Sequence, residues 1–255
     1  MNQADADGEV TSTMAARSIR KVRAKNDDDD MDIEVVIGER IKASILGGTL
    51  APGSKLPEES LAEIFGVSRT RIRSVLQRLA FEDLVEIKRN RGAFIASPSV
   101  KEARGIFEAR RVIERVTTEI VTRTVLTVQL AKLYESVNRQ DEAWKHGDYR
   151  RGIRELGEFH LAMCALAHNA ALTVVLERLI RRTSLILALY GLPNAMMRMP
   201  GMYAGLLVIV ERGESLSAAR AMERCLFALE KDLNFRSIFR PDAELSDVIH
   251  AMAAD

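Results

Sequence analysis

Apolar residues recur at helical spacing along most of this chain, and one short stretch departs from it. From Ile33 to Leu50 the apolar positions Val36, Ile37, Ile41 and Ile45 predict a helix that stops at Gly47-Gly48, ahead of Pro52-Gly53. A second, short helix fits Glu59 to Phe65, with Leu61, Ala62 and Phe65 on one face and Gly66 supplying the positive φ of a reversing chain. Ser68 then stands at an N-cap position before Arg69 to Glu82, where Ile72, Val75, Leu76 and Leu79 form one inward stripe. The opposite face carries Thr70, Ser74 and Gln77, with Arg73 on its flank and Arg69 in the first turn. The departure follows: Leu84 to Ile87 and Ala93 to Ala96 read as two strands joined by the basic turn Lys88-Arg89-Asn90-Arg91-Gly92.

Beyond the breaker cluster Ser97-Pro98-Ser99 the helical pattern resumes and runs from Val100 to about Phe239. Breaks near Thr124, Gly147, Asn169, Pro193 to Pro200 and Gly213 divide it into about six helices. The expected organisation is a disordered tail over 1–31, a winged helix-turn-helix over 32–97, an all-helical domain over 100–239 and a second tail over 240–255. The fold class is therefore mainly α, a winged helix-turn-helix followed by an all-α bundle of six to seven helices.

Charge sharpens this picture only locally. The net charge of the 255 residues is +1, which excludes a uniformly basic nucleic-acid coat. Between Arg69 and Arg91, however, Arg69, Arg71, Arg73, Arg78, Lys88, Arg89 and Arg91 face only Glu82, Asp83 and Glu86. The N-terminal tail adds a basic patch (Arg17, Arg20, Lys21, Arg23, Lys25) and an acidic run from Asp27 to Asp30, read as a solvated extension. The two cysteines, Cys164 and Cys225, are too far apart in sequence to form a C-x-x-C pair, so neither a disulfide framework nor a structural zinc site is expected. No segment approaches the roughly 18 apolar residues of a membrane span, and the expectation is a cytoplasmic protein with no membrane partner.

A helix, a second helix, a tight turn, a third helix and a basic hairpin is the order that places a recognition helix in the major groove and a wing on the adjacent backbone. Arg73 has the planar fork to bond guanine O6 and N7, whereas Arg69, Thr70 and the wing cations suit phosphates. The expected DNA-binding set is Ser68, Arg69, Thr70, Arg71, Arg73, Gln77, Arg89, Arg91 and Gly92. A charged solvent face is the competing reading of the same residues.

The run Leu56-Pro57-Glu58-Glu59-Ser60-Leu61-Ala62-Glu63, then Gly66-Val67-Ser68-Arg69-Thr70 and Arg73, then Leu84-Val85 and Arg91-Gly92-Ala93-Phe94, resembles the GntR family of bacterial regulators. By position, the resemblance implies that Arg69, Thr70 and Arg73 contact DNA and that Gly92 lies in the wing. Asp83 departs from the glycine usual before Leu-Val, and Ser74 from a common glutamate. The helical half resembles the FCD ligand-binding domain of the FadR subfamily, many of whose members hold a divalent metal that orients a carboxylate effector. His160, in Phe159-His160, matches one metal ligand of that family, but Leu156, Tyr203 and Cys225 stand where the other three are expected. One imidazole with a thiol cannot fill such a site, so no metal or other cofactor is expected.

Arg110, His160, Tyr203 and Cys225 are the candidate effector-binding residues. For the last three an ordinary core role stays open, and for Arg110 a surface charge competes with pairing an anionic effector. Asn169 reads as a helix cap, and the cluster Met196, Met197, Met199 and Met202 as adaptable packing. The functional expectation is a homodimeric transcriptional regulator that binds a palindromic double-stranded operator under the control of a small-molecule effector, and is not an enzyme. Two alternatives stand beside it: an architectural DNA-binding dimer without effector, and a helical enzyme using His160 and Cys225.

Overall fold

The computed structural model describes residues 33–46, 49–191 and 200–236. Both tails, Gly47-Gly48 and the methionines Met196, Met197 and Met199 lie outside the described residues. Helix α1 spans 33–46 and buries Ile37, Ile41 and Ile45 as the spacing requires, but Val36 faces solvent because it sits a quarter turn off that stripe. α2 (Glu58–Phe65) ends on Gly66 at φ 63°, and α3 (Arg69–Phe81) starts at Ser68, whose Oγ accepts from the Arg71 N–H at 3.4 Å. Ile72, Val75, Leu76 and Leu79 of α3 are all buried against α1 and α2.

The sheet has three strands rather than two. β1 (Lys55–Leu56), β2 (Val85–Lys88) and β3 (Gly92–Ile95) pair antiparallel in the order β1-β3-β2. The strands of the hairpin sit one residue off the sequence reading, since Lys88 pairs with Gly92 and the turn is only Arg89-Asn90-Arg91. Asn90 at φ 59° and Gly92 at φ 91° make that reversal, residue types that accept the left-handed region. β1 adds Lys55 opposite Phe94 and Leu56 opposite Ala93, so the wing root is held from both sides.

Six further helices follow among the described residues: α4 (Val100–Thr124), α5 (Thr127–Lys145), α6 (Tyr149–Ala165), α7 (Ala170–Tyr190), α8 (Met202–Glu211) and α9 (Ser215–Lys231). Their breaks follow local chemistry. Ser99 and Asn169 cap α4 and α7, accepting from Glu102 N–H at 3.2 Å and Leu172 N–H at 3.2 Å, while Gly147 and Gly213 turn at positive φ. α4 lies along α9, α5 packs on α6 and α8, and α6 packs on α7, around a core that includes Phe107, Trp144, Phe159 and Tyr203.

The two halves meet along α7. Leu185 of α7 is buried in the core of the N-terminal half. Two turns away, Arg178 forks onto the carboxylate of Asp83, with Nη2 to Oδ1 at 3.0 Å and Nε on Oδ2. Arg182 donates to the Asp83 carbonyl at 2.9 Å and also pairs with Glu102 of α4. Asp83 itself holds φ 60°, closing α3 so that the Leu84 N–H reaches the Leu79 carbonyl at 3.0 Å. Beside these pairs the junction leaves an open cleft of about 390 Å³ lined in part by Val85, Glu86, Ile106 and Leu179.

Gly152 of α6 shows how closely α5 and α6 approach, for a Cβ built there would overlap the buried Trp144 ring. Overpacking of that kind costs about 1–3 kcal/mol, against a return of up to ~1 kcal/mol from replacing a helical Gly by Ala. Gly152→Ala therefore lowers the urea midpoint. An unchanged or raised midpoint contradicts this packing.

Candidate nucleic-acid interface and effector core

The outward surface of the N-terminal half is built from α3 and the wing. Ser68, Arg69, Thr70, Arg73 and Gln77 are exposed, as are Arg89, Arg91 and Gly92, while Arg71 is half-buried on the flank of α3. Ser74 is the exception on the polar face: its hydroxyl donates to Glu34 of α1 at 2.8 Å, so it braces α3 and is withdrawn from the surface. In the wing, Lys88 lies over the Phe94 ring with its ammonium 4.9 Å from the centroid, and the Arg91 guanidinium is 5.7 Å away. These cation–π contacts hold two flexible cations against the strand.

Arg73 carries a partner already. Its Nε and Nη2 reach the Glu58 carboxylate at 3.2 and 2.7 Å, and Arg69 stands 3.8 Å from Glu59. The Arg73 guanidinium, by hydrogen bond and charge, holds the Glu58 carboxyl below its usual 4.5. A two-point contact from Arg73 to guanine thus requires the fork to leave Glu58, a competition invisible in the α3 sequence alone.

The second constellation is internal. Arg110, Glu114, His160 and Tyr203 are all at least 99% buried and joined in series. Arg110 Nε donates to Glu114 Oε1 at 2.7 Å, Glu114 Oε2 bonds His160 Nδ1, and His160 Nε2 lies 3.1 Å from the Tyr203 hydroxyl. The surface reading of Arg110 is corrected: α4 turns it inward, stacked 5.9 Å from the Phe107 centroid, because its partner Glu114 lies one helical turn on along the same buried face.

Protonation follows from burial. Desolvation pushes His160 below its usual 6.5 against the pull of Glu114, so the imidazole is neutral at pH 7. Burial alone would raise the Glu114 carboxyl, but the charge of Arg110 and the hydrogen bonds from Arg110 and His160 bring it below 4.5. Burial also drives Tyr203 well above 10, so its O–H keeps its proton and donates to His160 Nε2, and His160 Nδ1–H donates to Glu114. The network therefore holds one cation, one anion and two neutral groups.

Cys225 shares the core with Tyr203, and burial pushes its thiol up to about 12. Leu156 is buried in the same core. Both His160 nitrogens and the Glu114 oxygens are engaged within the protein, so this donor set does not fit the family's metal. Among the described residues no group of three or more His, Cys, Asp or Glu side chains is placed to hold a metal ion. Glu114, the hub of the network, was not among the sequence candidates; the signal for it was an Arg110-Glu114 pair four residues apart on a helix face otherwise lined by Phe107 and Val121.

Comparison with known proteins places these features. Residues 34–95 match the model of the bacterial regulatory proteins of the gntR family, and residues 105–228 match the FCD domain. The chain is 29% identical over 139 residues to the uncharacterized HTH-type transcriptional regulator YdhC of Bacillus subtilis, covering 54% of this chain and 62% of that protein. It is 28% identical over 158 residues to the Uxu operon regulator of Haemophilus influenzae, covering 56% of this chain and 58% of that one. The aligned segments thus span only about three fifths of these relatives. The fold matches that of McbR/YncC from E. coli with a TM-score of 0.67 at 19% identity, over 76% of this chain and 93% of that one. Among the described residues no helix is long and apolar enough to cross a membrane. With a gntR-type reading head and an FCD bundle in one chain, the protein belongs to the GntR family of bacterial regulatory proteins.

Proposed function

We propose that this protein is a transcriptional regulator that binds a palindromic DNA operator as a homodimer, under the control of a small-molecule effector held in the helical bundle without a metal. The observation that carries the reading is the outward polar face of α3, with Thr70, Arg73 and Gln77 exposed over a fully buried apolar stripe. Arg73 and Gln77 are assigned to base edges, and Ser68, Arg69, Thr70, Arg71 and the wing residues Arg89, Arg91 and Gly92 to the backbone. The relatives named as transcriptional and operon regulators support the same class. Val112 and Val116, exposed one turn apart on α4, and Phe227, exposed on α9, favour association with a second copy.

Effector control is supported by the arrangement of the halves. α6 carries His160, α6 packs on α7, and α7 holds Asp83 at the point where α3 gives way to the wing. An effector that favours one packing of the bundle shifts the reading head through this junction only by its differential affinity for the two packings. An enzymatic reading has less support, since a thiol at about 12 supplies no thiolate and His160 has both nitrogens bound.

Selection of bound duplexes from a random library, then competition binding on the selected site, tests the proposal. Arg73→Ala weakens operator affinity by roughly one to two powers of ten and relaxes discrimination, whereas Arg89→Ala and Arg91→Ala weaken all duplexes alike and reduce the salt slope by about one each. Failure to enrich any duplex, or equal loss by Arg73→Ala on operator and random DNA, overturns the assignment.

The buried network also sets a pH dependence. His160 and Glu114 both have folded values below their ordinary 6.5 and 4.5, so the unfolded chain binds protons first as pH falls. Their stabilisation is complete above 6.5 and is lost as pH falls, first through His160 and then, below 4.5, through Glu114. The urea midpoint therefore declines from near neutral pH downward, and His160→Gln, which keeps a donor and an acceptor, removes the upper part of the decline. A midpoint flat from neutrality down to pH 4.5 contradicts the neutral-imidazole network.

A further inference from the structure

One face of α5 is buried and polar without partners. Ser136, Gln140 and Trp144 recur four residues apart, so they form a single row about 12 Å long at 1.5 Å per residue. All three are more than 95% buried. Ser136 Oγ, both amide atoms of Gln140 and Trp144 Nε1 nevertheless have no hydrogen-bond partner. No protein group satisfies these atoms, and native interiors leave few such groups. A row of them along one helix is the makeup of a ligand wall, apolar in body with a few convergent polar groups.

The row belongs to the same core as the Arg110–Tyr203 network. The Gly201 N–H donates to Asp141 Oδ2 at 2.9 Å, which seats the start of α8 against α5 next to Gln140. Tyr203, in the first turn of α8, bonds His160, and Trp144, Phe159 and Tyr203 lie in one cluster of buried residues. Arg110 Nη2, on α4, is a further buried donor without a partner.

Charge then selects the class of ligand. The one buried cation of the network, Arg110, is already paired with Glu114, and His160, Tyr203 and Cys225 are uncharged at neutral pH. An anion entering this core meets no uncompensated positive charge to offset its desolvation. A hydroxyl meets the Gln140 amide, the Ser136 hydroxyl and the indole N–H, which together accept and donate. We propose that the Ser136–Gln140–Trp144 face of α5 recognises a neutral, polyhydroxylated small molecule, of the sugar or polyol class, as the effector of the bundle. This rests on the effector reading above and narrows it to uncharged ligands.

The test uses the full chain and three sets of compounds: neutral sugars and alditols, the corresponding aldonates and uronates, and unhydroxylated carboxylates. Melting shifts and titration calorimetry report binding, with Gln140→Leu and Ser136→Ala as variants. At least one neutral compound raises the melting temperature saturably and binds at least about tenfold more tightly than its acid. Gln140→Leu raises the unliganded melting temperature, weakens that ligand at least about tenfold and leaves operator affinity unchanged. Ser136→Ala, a smaller change, weakens the same ligand and keeps the test open if Gln140→Leu misfolds. Binding of the acids in preference to the neutral compounds, or binding indifferent to both variants, overturns the α5 assignment while the effector reading stands. If no compound, and no small-molecule fraction of a cell extract, shifts either melting or operator binding, the effector reading itself falls and takes this one with it.

Discussion

Asp83 occupies the residue where the recognition helix must reverse into the wing, and it does so in the left-handed region at φ 60°. For an L-residue that conformation costs roughly 1–2 kcal/mol, and glycine is the residue that adopts it freely. What glycine cannot supply is a carboxylate. Here the carboxylate receives the fork of Arg178, and the carbonyl of the same residue receives Arg182, which also holds Glu102 of α4. The strained residue therefore ties the end of α3 and the start of the wing to both α4 and α7. Everything proposed about control of DNA binding depends on that tie, because, beside the packing of Leu185 in the N-terminal core, it is the contact that links the end of α3 and the start of the wing to α7.

Behind the junction, the bundle is organised around charge that is closed within itself. A buried carboxylate survives because it is shared between a guanidinium and an imidazole N–H. The imidazole stays neutral because burial penalises its charged form, and its other nitrogen has a phenol to accept from. The same arithmetic argues against a metal and against an anion in this core. The DNA-facing side is organised the opposite way, with cations left in solvent and paired to surface carboxylates such as the part-exposed Glu58 and the exposed Glu59, which can be exchanged for phosphates or base edges.

The fold was legible where one physical rule decided the outcome. The stripe Ile72, Val75, Leu76 and Leu79 and the cap at Ser68 fixed α3 and the direction of its polar face, and Gly66, Gly147, Asn169 and Gly213 marked their turns and caps. β1 was not legible, since two residues have no periodicity and their pairing with Phe94 and Ala93 is set by tertiary contact. Ser74 was misplaced for a similar reason: its angular position suits the exposed face, but Glu34, forty residues earlier, claims it. The effector core was half legible. His160 and Tyr203 stood out as inward-facing, and Arg110 and Glu114 stand four residues apart on one helix face, but that Glu114 joins this pair to His160 depends on a contact 46 residues apart. Asp83 was visible as an unusual residue in the resemblance to the family. Its partner on α7, 95 positions away, could not be read from the sequence.

The most direct measurement of this account is a double-mutant cycle between Asp83→Asn and Arg178→Gln, read on operator affinity with and without ligand. If the pair ties the reading head to α7, each single change alters affinity or its response to ligand, and the double variant changes it no further than either alone. Additive effects, or operator binding indifferent to both substitutions, would show that the two halves are not coupled through this contact.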